Sequence, residues 1–236
     1  MDTTTLARVE STKQDLSICC FLWNRIKFLD GLGIVYVNKL YKAVKKNCSF
    51  PFRFFCFYEF EGRSVNTSPL IDKEIIILPL RNQWRRNLRK LEVFRCKNEL
   101  SGSVVMLDLD IVIIGSLDNI VSYRGDFACV GPRMGGAVVS FPAGKYHEKL
   151  YEPMIGNYLA IQQRTRGSER TYYVEKLKYN CDFWQDILPY QVVSYKNDCK
   201  RGNQGVLDKA RIVGFHGNPK PHKVHHRWVD DHWGKL

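Results

Sequence analysis

The stretch that decides the fold is SVVMLDLD, residues 103–110, in which an apolar run leads directly into two carboxylates. Four consecutive apolar residues predict a strand covered on both faces, as in a parallel α/β sheet. Residues two apart on a strand point to the same side, so we expect Asp108 and Asp110 to converge. Ligands collect at the carboxyl ends of strands in open α/β sheets, which makes this pair the first candidate site.

Two carboxylates in such proximity repel each other unless a proton or a cation lies between them. Their oxygens suit Mg²⁺ or Mn²⁺, which typically bridge to substrate phosphates. The alternative is an exposed strand end that carries two solvated acids, because short patterns of this kind occur by chance. The buried strand that immediately precedes the acids favours the functional interpretation.

Strands and helices alternate along the rest of the chain. Helical spacing of apolar residues predicts a helix over 34–47, and further helical sequence is expected in the second half of 82–97, over 145–160, late in 166–180 and over 182–188. The tail, 218–236, is rich in His, Trp and Pro and predicts an ordered wrap rather than a helix. Further strands are expected over residues 16–23, 52–58, 74–80, 126–131, 135–141 and 211–217.

Composition describes one globular domain over residues 1–236, in which residues 1–15 are a candidate for disorder. The chain has 44% apolar residues, enough to bury a core and to exclude a disordered protein. Its 36 basic and 24 acidic residues give a net charge of +12, which predicts anionic partners. Nucleic acid, a membrane surface and phosphorylated small molecules are all anionic, so the charge does not distinguish between them.

The surroundings of the eight cysteines and the lengths of the apolar runs indicate the cellular compartment. Most of the cysteines lie within apolar stretches, which predicts buried thiols in a reducing cytoplasm rather than a disulfide framework. No apolar run reaches 18 residues, and the first 15 residues lack the apolar core of a secretory signal. We therefore expect a cytoplasmic protein without a transmembrane segment, although peripheral membrane contact stays open.

A second signal is FHGNPKP, residues 215–221, where a predicted strand runs into a Gly/Pro loop. His216 is a natural metal ligand, and Lys220 is a compact cation that suits phosphate. Gly217 would let backbone N–H groups approach an anion closely. A lone histidine near a strand end is more often structural, but its combination with Lys220 and the two aspartates favours a site.

In these motifs the chain resembles GT-A type glycosyltransferases that use nucleotide sugars. In particular it is similar to short bacterial and viral enzymes that are distantly related to the glycogenin-like family. The matching stretches span nearly the whole chain in the expected order: YVNKLY (36–41), RKLEVFR (89–95), VVMLDLDIVIIGSLDNI (104–120), YRGDF (123–127), VVSYK (192–196) and FHGNPKP (215–221). The resemblance implies a Rossmann-like single domain whose central, mostly parallel sheet is flanked by helices and carries the DxD motif at a strand end.

The resemblance also implies a divalent metal, Mn²⁺ or Mg²⁺. Asp110 and His216 would be direct ligands, and Asp108 would contact the metal, the ribose, or both. Lys220 would bind the diphosphate. Lys90 matches a basic residue near the nucleotide sugar, but it could instead lie on a solvated helix face.

Three further assignments concern the donor pocket. Trp23 and Asn24, at the end of the first strand, would border the base, although Trp23 could equally belong to the core. Gly135 and Gly136 match a loop that usually carries Asn or Ser beside the donor sugar, and glycine has no side chain to make that contact. Residues 218–236 would form a C-terminal wrap over the donor site.

The last assignment is Glu169, in the stretch Gly167-Ser168-Glu169-Arg170, where relatives often carry an acid one position earlier. Glu169 would be a general base or a ligand of a sugar hydroxyl. It could also be an acid in the first turn of a helix, beside a Ser168 cap. Whether the anomeric centre is inverted or retained stays open.

The resulting expectation is a metal-dependent transferase that moves a hexose, pentose or deoxyhexose from a UDP-linked donor to a glycan or glycoconjugate acceptor. One alternative is a basic nucleic-acid-binding protein, suggested by RNQWRRNLRK (81–90). Another is a non-catalytic domain that only keeps the fold. Residues 81–97 and 196–236 carry nearly all of the positive excess, and we expect that excess to line the donor cleft.

Overall fold

A computed structural model describes residues 15–23, 31–59, 71–131, 136–178, 180–200 and 203–235. Within these ranges the chain forms a seven-stranded sheet, with helices on both faces, and a separate three-stranded sheet. The predicted α/β class with a central, mostly parallel sheet is confirmed. The expected disorder concerns residues 1–15, of which 1–14 lie outside the described residues.

The large sheet has the strand order β3-β2-β1-β4-β7-β6-β8. Strands β3, β2, β1 and β4 are parallel, and β7 runs antiparallel to β4. The order reverses between β1 and β4, which is where open α/β sheets form a crevice at the carboxyl ends of their strands. The bounds are β1 Leu16–Leu22, β2 Arg53–Tyr58, β3 Ile75–Pro79, β4 Ser103–Leu107, β6 Ala128–Cys129, β7 Val138–Pro142 and β8 Asp182–Phe183.

Strand β1 shows why this sheet is central. All seven of its residues are buried. Ile18 and Cys20 pack into the apolar cluster on one face, whereas Cys19 and Phe21 pack into the cluster on the other face. Alternate side chains on a strand point to opposite faces, so a continuous apolar run is what a doubly covered strand requires.

Helices pack against both sheets. The first, α1 (Gly33–Asn47), occupies the predicted position and buries Tyr36, Val37, Leu40, Tyr41 and Val44. The other α-helices are α2 (Asp118–Val121), α3 (Glu152–Thr165), α4 (Glu169–Leu177), α5 (Trp184–Ile187), α6 (Gln204–Leu207) and α7 (Arg227–Trp233).

The turn at the aspartate pair corrects one prediction. Strand β4 ends at Leu107, so Asp108 and Asp110 do not lie on a strand as the pattern predicted. The chain turns and continues as β5 (Ile111–Ile113), which pairs antiparallel with β10 (Ile212–Gly214) in the second sheet beside β9 (Val192–Ser194). Leu109 is buried in the core, so the turn leaves the two acids together at the edge of the large sheet.

The helix predicted in the second half of 82–97 is present, as the 3₁₀ helix Arg86–Arg95. One prediction about the tail needs correction. The tail contains α7, contrary to the expected absence of a helix. Val229 is buried in a small core beneath the second sheet, so tertiary packing stabilises a helix that the local composition did not indicate.

All eight cysteines lie within the described residues and are free thiols, as predicted. Burial raises the pKa of Cys19 and Cys20, which keeps these thiols protonated. Among the described residues, no helix is long and apolar enough to cross a membrane.

Candidate functional site

Three acids and two lysines meet at the carboxyl edge of β4, and we call this group the acid–lysine cluster. Its members are Lys90, Asp108, Asp110, Glu169 and Lys220. They come from the 3₁₀ helix, the turn after β4, the start of α4 and the loop after β10. Sequence reasoning singled out all five, and the fold brings all five together.

Lys90 is the centre of one half of the cluster. Its Nζ lies 2.5 Å from Asp108 Oδ1 and donates a 2.8 Å hydrogen bond to Glu169 Oε1. Lys90 is only 4% exposed, so the alternative of a solvated helix face is wrong. Burial lowers the pKa of Lys90, but Asp108 and Glu169 outweigh it and raise the pKa above the ordinary lysine value. The lysine therefore stays charged inside the protein.

Asp108 has an unusual carboxyl group. Burial, together with the neighbouring charges of Asp110 and Glu169, raises its pKa to about 6 against the opposing effect of Lys90. The effect of Asp110 places the two aspartates within electrostatic range of each other. This edge of the sheet therefore concentrates negative charge that a cation must offset.

Lys220 forms the other half of the cluster. Its Nζ hydrogen-bonds Asp110 Oδ2 and donates a 2.9 Å hydrogen bond to the carbonyl oxygen of Phe215. The Phe215 N–H in turn donates to the Asp110 carbonyl oxygen at 2.9 Å, which ties the HGNPKP loop to the turn after β4. Gly217 has a φ of +73°, in the left-handed region that glycine occupies without strain.

His216 lies beside this half of the cluster. Its Nε2 is 2.7 Å from Ser194 Oγ, at the end of β9. Burial and the nearby Lys196 lower the pKa of His216 despite the opposing effect of Asp110. The imidazole is therefore neutral at pH 7, which is the form that binds metals.

Two loop positions explain how Glu169 is held. Ser168 caps α4 by accepting a 3.2 Å hydrogen bond from the Thr171 N–H, as the helix-start alternative predicted. A Cβ on Gly136 would lie 2.4 Å from Glu169 Oε1, so a larger residue there would displace the Glu169 carboxylate. Glu169 is 1% exposed, which places it against Lys90 and away from solvent. Gly135 lies outside the described residues.

The first strand also leads to this region. Trp23 follows β1, is half-buried and packs against the apolar cluster that contains β1 residue Phe21. The guanidinium of Arg89, next to Lys90 in sequence, lies 5.9 Å from the centre of the Trp23 ring. Asn24 lies outside the described residues.

The donor chemistry of Asp108, Asp110 and His216 fits a divalent cation, since it combines two carboxylates with a neutral imidazole. No group of three or more His, Cys, Asp or Glu side chains in the described residues is arranged to hold a metal. In this structure lysine ammonium groups neutralise the two aspartates. The metal ligands therefore stay predictions.

The positive charge is less concentrated than predicted. Lys90 and Lys220 lie in the site, but Arg86 donates to the Arg166 carbonyl oxygen and Arg95 pairs with Glu92. With three residues per turn, a 3₁₀ helix directs neighbouring side chains to different sides, so only part of a basic segment can face one cleft.

The Trp and Arg pattern that suggested nucleic-acid binding has a structural explanation. Trp84 is 4% exposed and stacks on Tyr158, so its ring is not available to a base.

The tail is tied to the rest of the chain by its histidines and tryptophans. His222 Nδ1 lies 2.6 Å from Tyr36 Oη on α1, and His226 Nε2 lies 3.1 Å from Tyr195 Oη. Lys39 donates to the carbonyl oxygen of Trp233 at 3.0 Å. Beyond Lys220 these contacts anchor the tail on α1 and the second sheet.

Sequence reasoning missed a cavity of about 620 Å³ beside His216. Ser194 lines it, together with Gln185 and Asp186 of α5 and residues from β9 to α6. The one available signal was the presence of Gln185 and Asp186 within the otherwise apolar FWQDILP (183–189). The lining residues are scattered over 76 sequence positions, from Gly131 to Val206, so only the fold assembles them.

The sequence matches no family model and no curated protein. Solved structures nevertheless share its fold. The glycosyltransferase GlyE of Streptococcus pneumoniae TIGR4 superposes with a TM-score of 0.64 at 12% identity, over 93% of this chain and 59% of GlyE. The chain thus spans less than two thirds of the length of GlyE.

Two structures of LgtC are also similar. An active-site mutant gives a TM-score of 0.62 at 9% identity, covering 92% of this chain and 93% of LgtC. The galactosyltransferase LgtC in complex with donor and acceptor sugar analogs gives 0.57 at 12% identity, covering 89% and 90%. The protein therefore has the GT-A-like fold of solved glycosyltransferases, as its motifs predicted.

Proposed function

We propose that the protein is a metal-dependent glycosyltransferase that moves a sugar from a nucleotide sugar, with UDP as the nucleotide, to a carbohydrate acceptor. The observation that carries the proposal is the acid–lysine cluster. It lies at the reversal point of the sheet order, in a fold shared with solved glycosyltransferases. LgtC has been solved with donor and acceptor sugar analogs, which supports substrates of the same kind here.

The two lysines suit a diphosphate leaving group. When a sugar leaves a nucleoside diphosphate, negative charge grows on the phosphate oxygens, and fixed cations nearby stabilise it. Lys220 is only 3% exposed, so its charge acts in a region that holds little water. Mn²⁺ or Mg²⁺ held by Asp108, Asp110 and His216 would add positive charge at the same phosphates.

Glu169 would act mainly through Lys90 in this proposal. Its carboxylate accepts a 2.8 Å hydrogen bond from the Lys90 ammonium and so holds that ammonium beside Asp108. With 1% exposure, it reaches an acceptor hydroxyl only if the site opens. The acceptor would occupy the neighbouring cavity, which borders His216 through Ser194.

A donor screen tests the proposal. Release of nucleoside diphosphate would be measured from a panel of UDP-, GDP- and TDP-sugars, with Mn²⁺ and with EDTA. We expect release from a UDP-sugar that EDTA abolishes and that Asp110→Asn reduces at least 100-fold. Asp126→Asn is the matched control, because Asp126 is an exposed acid paired with Lys145 away from the cluster.

Absence of release from every donor, together with absence of UDP binding by calorimetry, would contradict the proposal. Tight, salt-dependent binding of oligonucleotides that EDTA leaves unchanged would favour the nucleic-acid alternative instead.

A further inference from the structure

The cavity beside His216 has the mixed lining that carbohydrate recognition requires. Phe183, Pro189 and Tyr190 supply apolar faces. Asp186 and Asn197 supply polar groups for hydroxyls. Small-ligand sites combine apolar walls with a few polar groups that fix orientation, and the volume of about 620 Å³ accommodates one or two sugar rings.

This cavity adjoins His216, the predicted metal ligand beside the acid–lysine cluster. Ser194 lines the cavity, and its Oγ lies 2.7 Å from His216 Nε2. The Ser194 N–H donates to Asp198 Oδ2 at 2.8 Å, and Asp198 also lines the cavity. A molecule in the cavity would therefore lie next to the proposed donor site.

Tyr190 is the unusual residue of the lining. Its φ is +65°, in the left-handed region that a bulky side chain adopts only at a cost in free energy. The residue is nevertheless 56% exposed, so burial in the core does not repay that cost. The turn that holds it is fixed by the Gln191 N–H, which donates to the Leu188 carbonyl oxygen at 3.1 Å.

The ring of Tyr190 is also oriented by a cation. Lys209 Nζ lies 5.3 Å from the ring centre, within cation–π distance. Strained conformations concentrate at ligand-binding positions, where the surrounding structure maintains them. An exposed aromatic ring at the rim of a cavity, carried by a strained backbone and oriented by a cation, is suited to stack on the C–H face of a sugar.

We propose that Tyr190 is the platform for the acceptor sugar and selects acceptors that present an unsubstituted pyranose face. This inference rests on the proposed transfer activity, because it assigns the acceptor side of the same site.

The test uses Tyr190→Gly, Tyr190→Phe and the full chain. Glycine relieves the backbone strain, so we expect the urea midpoint of Tyr190→Gly to stay the same or rise. We expect its affinity for the acceptor to fall about 10-fold, while UDP binding stays unchanged. Tyr190→Phe keeps the ring and should behave as wild type. Leu159→Ala, which truncates another exposed apolar side chain, is the control.

Binding of methyl glycosides of glucose, galactose, mannose and N-acetylglucosamine would be measured by saturation-transfer NMR, independently of turnover. Binding by wild type that Tyr190→Gly weakens supports the inference, even if every donor fails. Equal binding by both proteins, or no glycoside bound by wild type, would overturn it. UDP release with an unchanged acceptor KM in Tyr190→Gly would overturn the inference but leave the proposed function intact.

Discussion

Replacing Lys90 by methionine removes the ammonium that neutralises Glu169, which is buried, and Asp108, which is partly buried. Glu169 is 2% exposed in its side chain and Asp108 is 24% exposed, so water compensates little for the loss at Glu169. Breaking a buried ion pair by removing one partner costs about 3–5 kcal/mol. We therefore expect Lys90→Met to lower the free energy of unfolding by about 3 kcal/mol or more at pH 7.

The assay is urea unfolding followed by circular dichroism in EDTA. The slope of the unfolding free energy against urea concentration is compared between variants. Lys90→Met/Glu169→Gln removes one uncompensated charge and should recover at least about 1.5 kcal/mol relative to the single variant. Lys45→Met is the matched control, since Lys45 pairs with Glu74 at 2.6 Å on the surface. We expect a much smaller change there.

A loss below about 1 kcal/mol in Lys90→Met would refute the reasoning, because it would mean that the two acids find other compensation. An equal loss in the double variant would also refute it, since Glu169 would then not be the charge that Lys90 offsets.

Three other predictions concern the same region. Gly136→Ala should displace the Glu169 carboxylate and lower the free energy of unfolding in urea by about 2 kcal/mol. Gly156→Ala is the control and should not destabilise the protein, because a Cβ there meets nothing within 4 Å. Equal losses of unfolding free energy in the two variants would contradict the account. Folding raises the pKa of Asp108 to about 6, so wild type in EDTA should lose up to about 3 kcal/mol relative to Asp108→Asn as the pH rises from 4 to 7. If the free energy of unfolding changed with pH in the same way in wild type and in Asp108→Asn, the raised pKa of Asp108 would be contradicted. Ser168→Ala should cost about 1 kcal/mol through loss of the helix cap, measured by the thermal midpoint, and an unchanged midpoint would show that the cap is dispensable.

The sheet and the main site residues could be predicted because their signals are local. Six of the seven buried residues in β1 are apolar, so the strand appears directly in the sequence as a nearly continuous apolar run. The two aspartates follow a similar run, and His216 and Lys220 lie in one short loop. Such patterns indicate burial and chain reversal even when the distant contacts of the chain are unknown.

The turn after β4 and the environment of Lys90 depend on distant contacts. Whether Asp108 ends a strand or enters a turn depends on β10, about 100 residues later, which takes β5 into a second sheet. Lys90 could equally have been solvated, and only its contact with Glu169, 79 positions away, shows that it is buried. The cavity behind Ser194 depends on the same long-range assembly.

The most direct measurement of the central claim is a crystal structure with UDP and Mn²⁺, with anomalous differences recorded at the manganese edge. We expect one anomalous peak between Asp108, Asp110 and His216, with the diphosphate beside Lys220. Manganese or diphosphate bound elsewhere, with Lys90 and Lys220 still paired to the two aspartates, would contradict the claim that the acid–lysine cluster is the donor site.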